Sequence, residues 1–288
     1  MIAESNEVLG TGKASFRGWP VLIALAVLYA PTYFDLWRTL WQSDEYSHAP
    51  LVALIVLWLS WLRRAALFGE RSPTTADMTW GAAALAFGLA TQVIGRSQSI
   101  PLFEMVSQIP VLAGLLLLLR GRNALHAAWF PLFFLVFMIP VPGIWIDALT
   151  SHLKSWISQI SEELLYSAGL PIARNGVAIT IGTYQLMVAD ACSGLYSMFS
   201  LTALGVLFIH LTGRDNWLHR LILVLGILPI AFLANLFRVM ALILVTYYGG
   251  ESAGRQLHDF SSPAVFVLAT LLLVLFDRSL DRFLPGRK

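Results

Sequence analysis

Three residues of this chain have side chains suited to acyl-transfer chemistry: Cys192, Arg238 and His258. A thiolate is a strong nucleophile, an imidazole gives and takes protons near neutral pH, and a fixed guanidinium holds the negative charge that develops on a carbonyl oxygen. Cys192 is the only cysteine, and Ser193-Gly194 follow it where a polar segment turns into a long apolar run. Backbone N–H groups at a helix start are unsatisfied and point outward, which favours a thiolate and offers donors to an oxyanion. Arg238 lies in Ala234-Asn235-Leu236-Phe237-Arg238-Val239, with apolar residues for two turns on either side. A guanidinium at such a depth costs a few kcal/mol, so it is expected to face a polar cavity that Asn235, three residues earlier, shares. His258 stands where the last apolar run begins. Each residue also has a plainer reading: a small buried hydrophobe, a structurally paired arginine and an interfacial capping histidine.

The elements that must position them are read from hydropathy. The 288 residues are 57 % hydrophobic and 12 % charged, with a mean hydropathy of +0.71. Soluble domains carry about a quarter charged residues, so the long uncharged runs are expected to face lipid. Eight spans are drawn at 19–37, 48–62, 79–95, 101–119, 124–143, 193–211, 221–248 and 259–276. Met1–Thr11 is polar and acidic, which is not the pattern of a cleavable signal peptide.

Lys and Arg set the orientation. With the N-terminus inside, Arg38, Arg96, Lys154, Arg174 and Arg255 lie outside and Arg238 lies within a span, which leaves 13 of the 19 basic residues inside. The positive-inside rule then makes both termini cytoplasmic. The same orientation puts three irregular polar segments on the outer face: Asp44-Glu45-Tyr46-Ser47-His48, the long stretch 144–191, and Gly249–Gln256. In the long stretch, Leu149, Leu153, Trp156, Ile157, Ile160 and Leu164 at helical spacing predict an amphipathic helix along the interface. Ile172 to Asp190 predicts a β-hairpin around Asn175-Gly176. The fold class is therefore all-α and polytopic, about eight transmembrane helices with a small outer helix and hairpin. It forms one domain over 1–288, with the catalytic spans in 192–276.

Other chemistries fit less well. A single cysteine excludes an internal disulfide and a Cys-rich zinc site. The histidines His48, His126, His152, His210 and His219 are spread over both faces, so no metal is expected. There is no His-Glu-x-x-His, no Gly-x-Ser-x-Gly and no phosphate-binding Gly-x-x-x-x-Gly-Lys loop. No cofactor and no nucleic-acid partner are expected.

The motifs resemble those of the exosortase/archaeosortase family of polytopic membrane cysteine transpeptidases, over nearly the whole chain. The matching elements are Tyr46-Ser47-His48, Ile139-Pro140-Val141-Pro142, Ala191-Cys192-Ser193-Gly194-Leu195, Asn235-Leu236-Phe237-Arg238 and His258. By that resemblance Cys192 is the nucleophile and Arg238 and His258 complete the active site. Asn235, Ser193, Gly194, Tyr46, Ser47 and His48 are the candidate secondary residues. The resemblance implies membrane-anchored substrates with a C-terminal Pro-Glu-Pro type signal, an apolar helix and a basic tail. It also implies the bacterial inner membrane, with an active site facing the periplasm. The bacterial exosortase B branch is nearest. Family members often carry Gly four residues after the histidine, and here Ser262-Pro263 stands instead. Arg174 and Arg255 are the candidates to meet the signal's glutamate. Two other readings stay open: a cysteine hydrolase that transfers to water, and a transporter or envelope scaffold in which Arg238 and His258 bind an anion or a proton.

Overall fold

The computed structural model describes residues 19–43, 46–69, 72–187, 194–213 and 216–283, and nearly all of them are helical. Helix α1 (Trp19–Arg38) leads through a short 3-10 turn to α2 (Ala49–Leu62) and α3 (Arg64–Phe68). A long pair follows, α4 (Thr75–Ser97) and α5 (Pro101–Arg120), then α6 (Arg122–Phe134) with a second 3-10 turn, Leu135–Met138. The outer segment holds α7 (Gly143–Ser167) and strands β1 (Ile172–Asn175), β2 (Ala178–Ile181) and β3 (Tyr184–Met187). Two helices close the chain, α8 (Gly194–Thr212) and α9 (Trp217–Phe283).

Among the described residues, four stretches are long and apolar enough to cross a membrane: Trp19–Gln42, Thr75–Ser97, Pro101–Arg120 and Trp217–Leu257. The apolar helices Ala49–Leu62, Arg122–Met138 and Phe199–Thr212 are shorter and stand where the second, fifth and sixth spans are expected. Large apolar side chains face outward along these helices, among them Val27, Leu57, Phe87, Val93, Leu225 and Val267. Lipid, as apolar as those side chains, is the solvent that such a surface fits.

Since apolar side chains gain little by leaving lipid for each other, close packing and internal hydrogen bonds must hold the bundle. The antiparallel α4–α5 pair shows both. Gly81, Gly88 and Gly95 recur every seven residues along α4 and sit directly on α5. A Cβ at Gly88 would stand 2.8 Å from the Val111 backbone nitrogen, and one at Gly95 2.7 Å from that of Glu104. Thr74 caps α4 reciprocally: Asp77 N–H donates to Thr74 Oγ1 (3.2 Å) and Thr74 N–H to Asp77 Oδ2 (3.0 Å).

A buried polar network ties α1 to this pair. Thr32 Oγ1 donates to Glu104, Gln92 Nε2 donates to Thr32 Oγ1 at 3.2 Å, and Ser107 Oγ donates to Gln92 Oε1 at 2.8 Å. Tyr29 meets Ser107 at 2.9 Å, and Tyr33 donates to Gln108 at 2.7 Å. Arg96 bridges Asp35 (2.6 Å) and Glu104 (3.5 Å) at the edge of this network.

Three expectations need correction. Ile172–Met187 forms a three-stranded antiparallel meander, not a single hairpin. Both of its turns put a glycine with positive φ at the first central position, Gly176 (φ 64°) before Val177 and Gly182 (φ 56°) before Thr183. That arrangement suits a type II′ turn and shifts the first turn one residue along from Asn175-Gly176. On α7 the buried stripe is Ile157, Ser158, Ser161 and Leu165, while Trp156 and Leu164 are exposed. One side of α7 packs on the sheet and α9, leaving the other apolar side outward, as an interfacial helix requires.

The third correction concerns Gly249–Gln256, expected as a loop. It is helix on both sides of a single residue, Gly250 (φ 82°, ψ 174°). Only glycine adopts that region freely, so one residue suffices to turn the chain back. α9 is thus a helical hairpin with arms 217–249 and 251–283. Gly254 lies against Thr246, whose Cα is 3.5 Å from a Cβ built there, and Gly226 packs under Phe276. The sheet sits over the hinge: Gly182 lies against the Tyr247 ring, and the Tyr184 hydroxyl is 3.6 Å from a Cβ built at Gly250.

Candidate active site

The site is built from three helical segments whose mutual depth can be read from their contacts. Arg238 is buried at 7 % exposure and Asn235 at 0 %, whereas Phe237 and Leu233, on the far side of the arm, are exposed. Asn235, Arg238, Leu242 and Thr246 form one buried stripe at helical spacing along the first arm. It lies between two apolar clusters. One joins Ile157 of α7 and Ile179 and Ile181 of the sheet to Leu236, Val239 and Ile243. The other joins Leu201 of α8 to Ala231, Ala234, Val265 and Ala269.

The first register comes from α8. Gly205 packs on Ile227, with a built Cβ 2.8 Å from Cγ1, and Leu201 clusters with Ala231. In this antiparallel pair, stepping eleven residues back along α8 and eleven forward along α9 brings Gly194 level with Arg238. The second register comes from the hairpin, where Thr246 meets Gly254 and Ala231 clusters with Ala269. Position 258 then falls level with Leu242, about one helical turn, or ~6 Å, from the depth of Arg238. It also falls on the stripe of the second arm that carries Gly254 and Val265. Cys192 and Ser193 lie outside the described residues, as does the side chain of His258. The chain order puts Cys192 two residues ahead of Gly194.

The early motif borders the same region. Tyr46 donates from its hydroxyl to the Val141 carbonyl at 2.7 Å, which ties Tyr46-Ser47-His48 to the Ile139-Pro140-Val141-Pro142 segment. His48 stands just ahead of α2 without a side-chain capping bond, and its ring meets Phe199 of α8 edge-on at 6.2 Å. Ser47 is exposed. The two arginines expected to meet the signal each hold a carboxylate: Arg174 meets Glu162 at 3.0 Å, and Arg255 meets Glu251 at 2.7 Å. A substrate carboxylate at either would have to displace that partner.

Sequence reading passed over two features here. Phe199, lodged between His48 and Phe137, links the early motif to α8. Ser161, fully buried on α7 one turn from Ile157, has a hydroxyl without a partner among the described residues. Neither has a local sequence signal, since both depend on which helix lies alongside. Among the described residues no group of three metal-ligating side chains converges.

Fold and surface define a helical polytopic membrane protein with a charged arginine held inside its bundle. The chain belongs to the transmembrane exosortase family, whose sequence profile matches residues 36–275. No curated protein and no solved structure matches it.

Proposed function

We propose that this exosortase-family protein is a cysteine transpeptidase acting on membrane-anchored proteins with a C-terminal Pro-Glu-Pro type sorting signal. The observation that carries the reading is that Gly194 lies level with Arg238 and position 258 within about one helical turn of it, on three helical segments packed against one another. In this mechanism the substrate's apolar helix docks laterally and its signal lies beside Cys192. The thiolate attacks the scissile carbonyl, and the resulting oxyanion is held by the Arg238 guanidinium and by N–H groups at the start of α8. His258 protonates the departing amine as the thioester forms. It then takes a proton from the incoming nucleophile, which expels the thiolate. Asn235 keeps Arg238 company on its helical face, and Tyr46, Ser47 and His48 border the entrance.

In the positive-inside orientation the site faces the periplasmic side of a bacterial inner membrane, with both termini cytoplasmic. The test is co-expression with a signal-bearing protein, with Cys192→Ala as the variant. Unprocessed substrate should accumulate in the membrane while the enzyme reaches its normal level. Processing at the wild-type rate would remove Cys192 from the mechanism. Mass spectrometry of the product's new C-terminus separates transfer from hydrolysis, since a free carboxylate marks the latter.

A further inference from the structure

At the end of the bundle away from Gly250, helices α2, α6 and α8 leave a partly open cavity of about 230 Å³. Arg63 ends α2, His126 lies in the second turn of α6, and His210 lies in the last turn of α8. The other lining side chains are apolar, Leu59, Leu62 and Leu211 on one side and aromatic rings on the other, and among the described residues no Asp or Glu lines the cavity.

These three groups retain their hydrogen-bonding capacity. Among the described residues Arg63 has no carboxylate partner, and neither His126 nor His210 makes a side-chain hydrogen bond. His210 is held in place: its ring stacks flat on Phe130 at 3.5 Å and 4°, and Trp129 meets it edge-on at 5.9 Å. A guanidinium and two imidazoles offer N–H donors from three directions, which matches the several oxygens of a phosphate better than a planar carboxylate. The apolar wall beside them continues onto the exposed rings of Trp129 and the side chain of Leu62, the surface that faces lipid.

We infer that this cavity binds a phosphate group, carried by a phospholipid headgroup or by a free phosphate from water, at the opposite end of the bundle from the candidate thiol site. Arg64, Arg120 and Arg122 stand at helix ends on the same side of the bundle, and their charge favours an anion against the carbonyl ends of α2 and α8. The cavity is independent of the thiol chemistry, and its test does not use processing activity.

The full chain, purified in a non-ionic detergent, is titrated with three probes and read by native mass spectrometry: phosphatidylglycerol, diacylglycerol with the same acyl chains, and inorganic phosphate. Arg63 and His126 are exposed, so Arg63→Gln and His126→Gln are expected to leave the thermal midpoint unchanged. Phosphatidylglycerol should be retained and diacylglycerol lost. Arg63→Gln should weaken retention about tenfold and His126→Gln by a smaller factor, as expected for losing a charge-assisted or a neutral hydrogen bond. Arg64→Gln, which removes the same charge from a residue that stacks on Trp61 outside the cavity, should leave binding within about twofold of wild type. Binding of inorganic phosphate alone, weakened by Arg63→Gln, would keep the site and assign it a water-borne ligand. Equal retention of diacylglycerol, an equal loss with Arg64→Gln, or no binding of either phosphate probe would overturn the inference.

Discussion

His219 Nε2 lies 2.8 Å from Asp277 Oδ1, with both residues buried, so the two arms of the α9 hairpin are pinned far from their hinge. Asp281, one turn further on, approaches the other ring nitrogen at 3.9 Å. The hairpin is therefore fixed at both ends, by Gly250 at one and by this pair at the other. Removing one partner of a buried hydrogen bond leaves the other short of a partner and costs about 1–3 kcal/mol, more where the survivor is charged. Asp277→Leu should thus lower the thermal midpoint in detergent sharply, and His219→Leu likewise. The double variant should lose clearly less than the sum of the two, and strict additivity would show that the pair is not coupled.

Gly250 should tolerate no side chain. Its φ of 82° and ψ of 174° fall in a region open almost solely to glycine. Gly250→Ala should destabilise the protein by about 1–3 kcal/mol. Thermal unfolding monitored by tryptophan fluorescence would register this, and an unchanged midpoint would mean the turn relaxes at no cost.

The α4–α5 seam should behave as a backbone contact. A Cβ at Gly88 meets both the Val111 side chain and its backbone nitrogen. Gly88→Ala should destabilise by about 1–3 kcal/mol, as overpacking does. Adding Val111→Ala should not restore the wild-type midpoint, since the nitrogen at 2.8 Å stays where it is. Full rescue would show that only the side chain matters.

Arg238→Lys separates charge from shape. Lysine keeps the positive charge but loses the planar fork of donors. If the guanidinium holds the oxyanion, substrate processing should slow about a hundredfold or more, the usual cost of losing one such donor. Enzyme accumulation in the membrane should stay close to normal. A loss of accumulation equal to the loss of processing would assign Arg238 to the scaffold instead.

How much of this was legible in the sequence varies by element. The interfacial helix over Gly143–Ser167 and the membrane-embedded character were plain, because both rest on local periodicity and composition. Gly249-Gly250-Glu251-Ser252 read as a loop because glycines and polar residues usually break helices. One unusual φ angle did the turning, and sequence alone does not assign it. Gly81, Gly88 and Gly95 stood seven apart in plain view, yet their meaning needed α5 alongside. Glu104 was hidden by averaging, one carboxylate in a run of apolar residues whose partners come from α1 and α4. Arg238 stood out in the sequence by its cost in lipid, and the structure buries it. That Gly194 lies level with Arg238 and position 258 within about one turn of it could not be read there, because it follows from Gly205 on Ile227 and Thr246 on Gly254, contacts that no linear spacing encodes.

The fold-back at Gly250 turns the 20 residues from Arg238 to His258 into a ruler. Both positions ride on one doubled-over rod, so their offset is measured along the chain itself. Adding or deleting a single helical residue between the two positions would swing one about 100° around its axis relative to the other. For the proposed site, the length of this stretch would matter as much as the identity of any side chain.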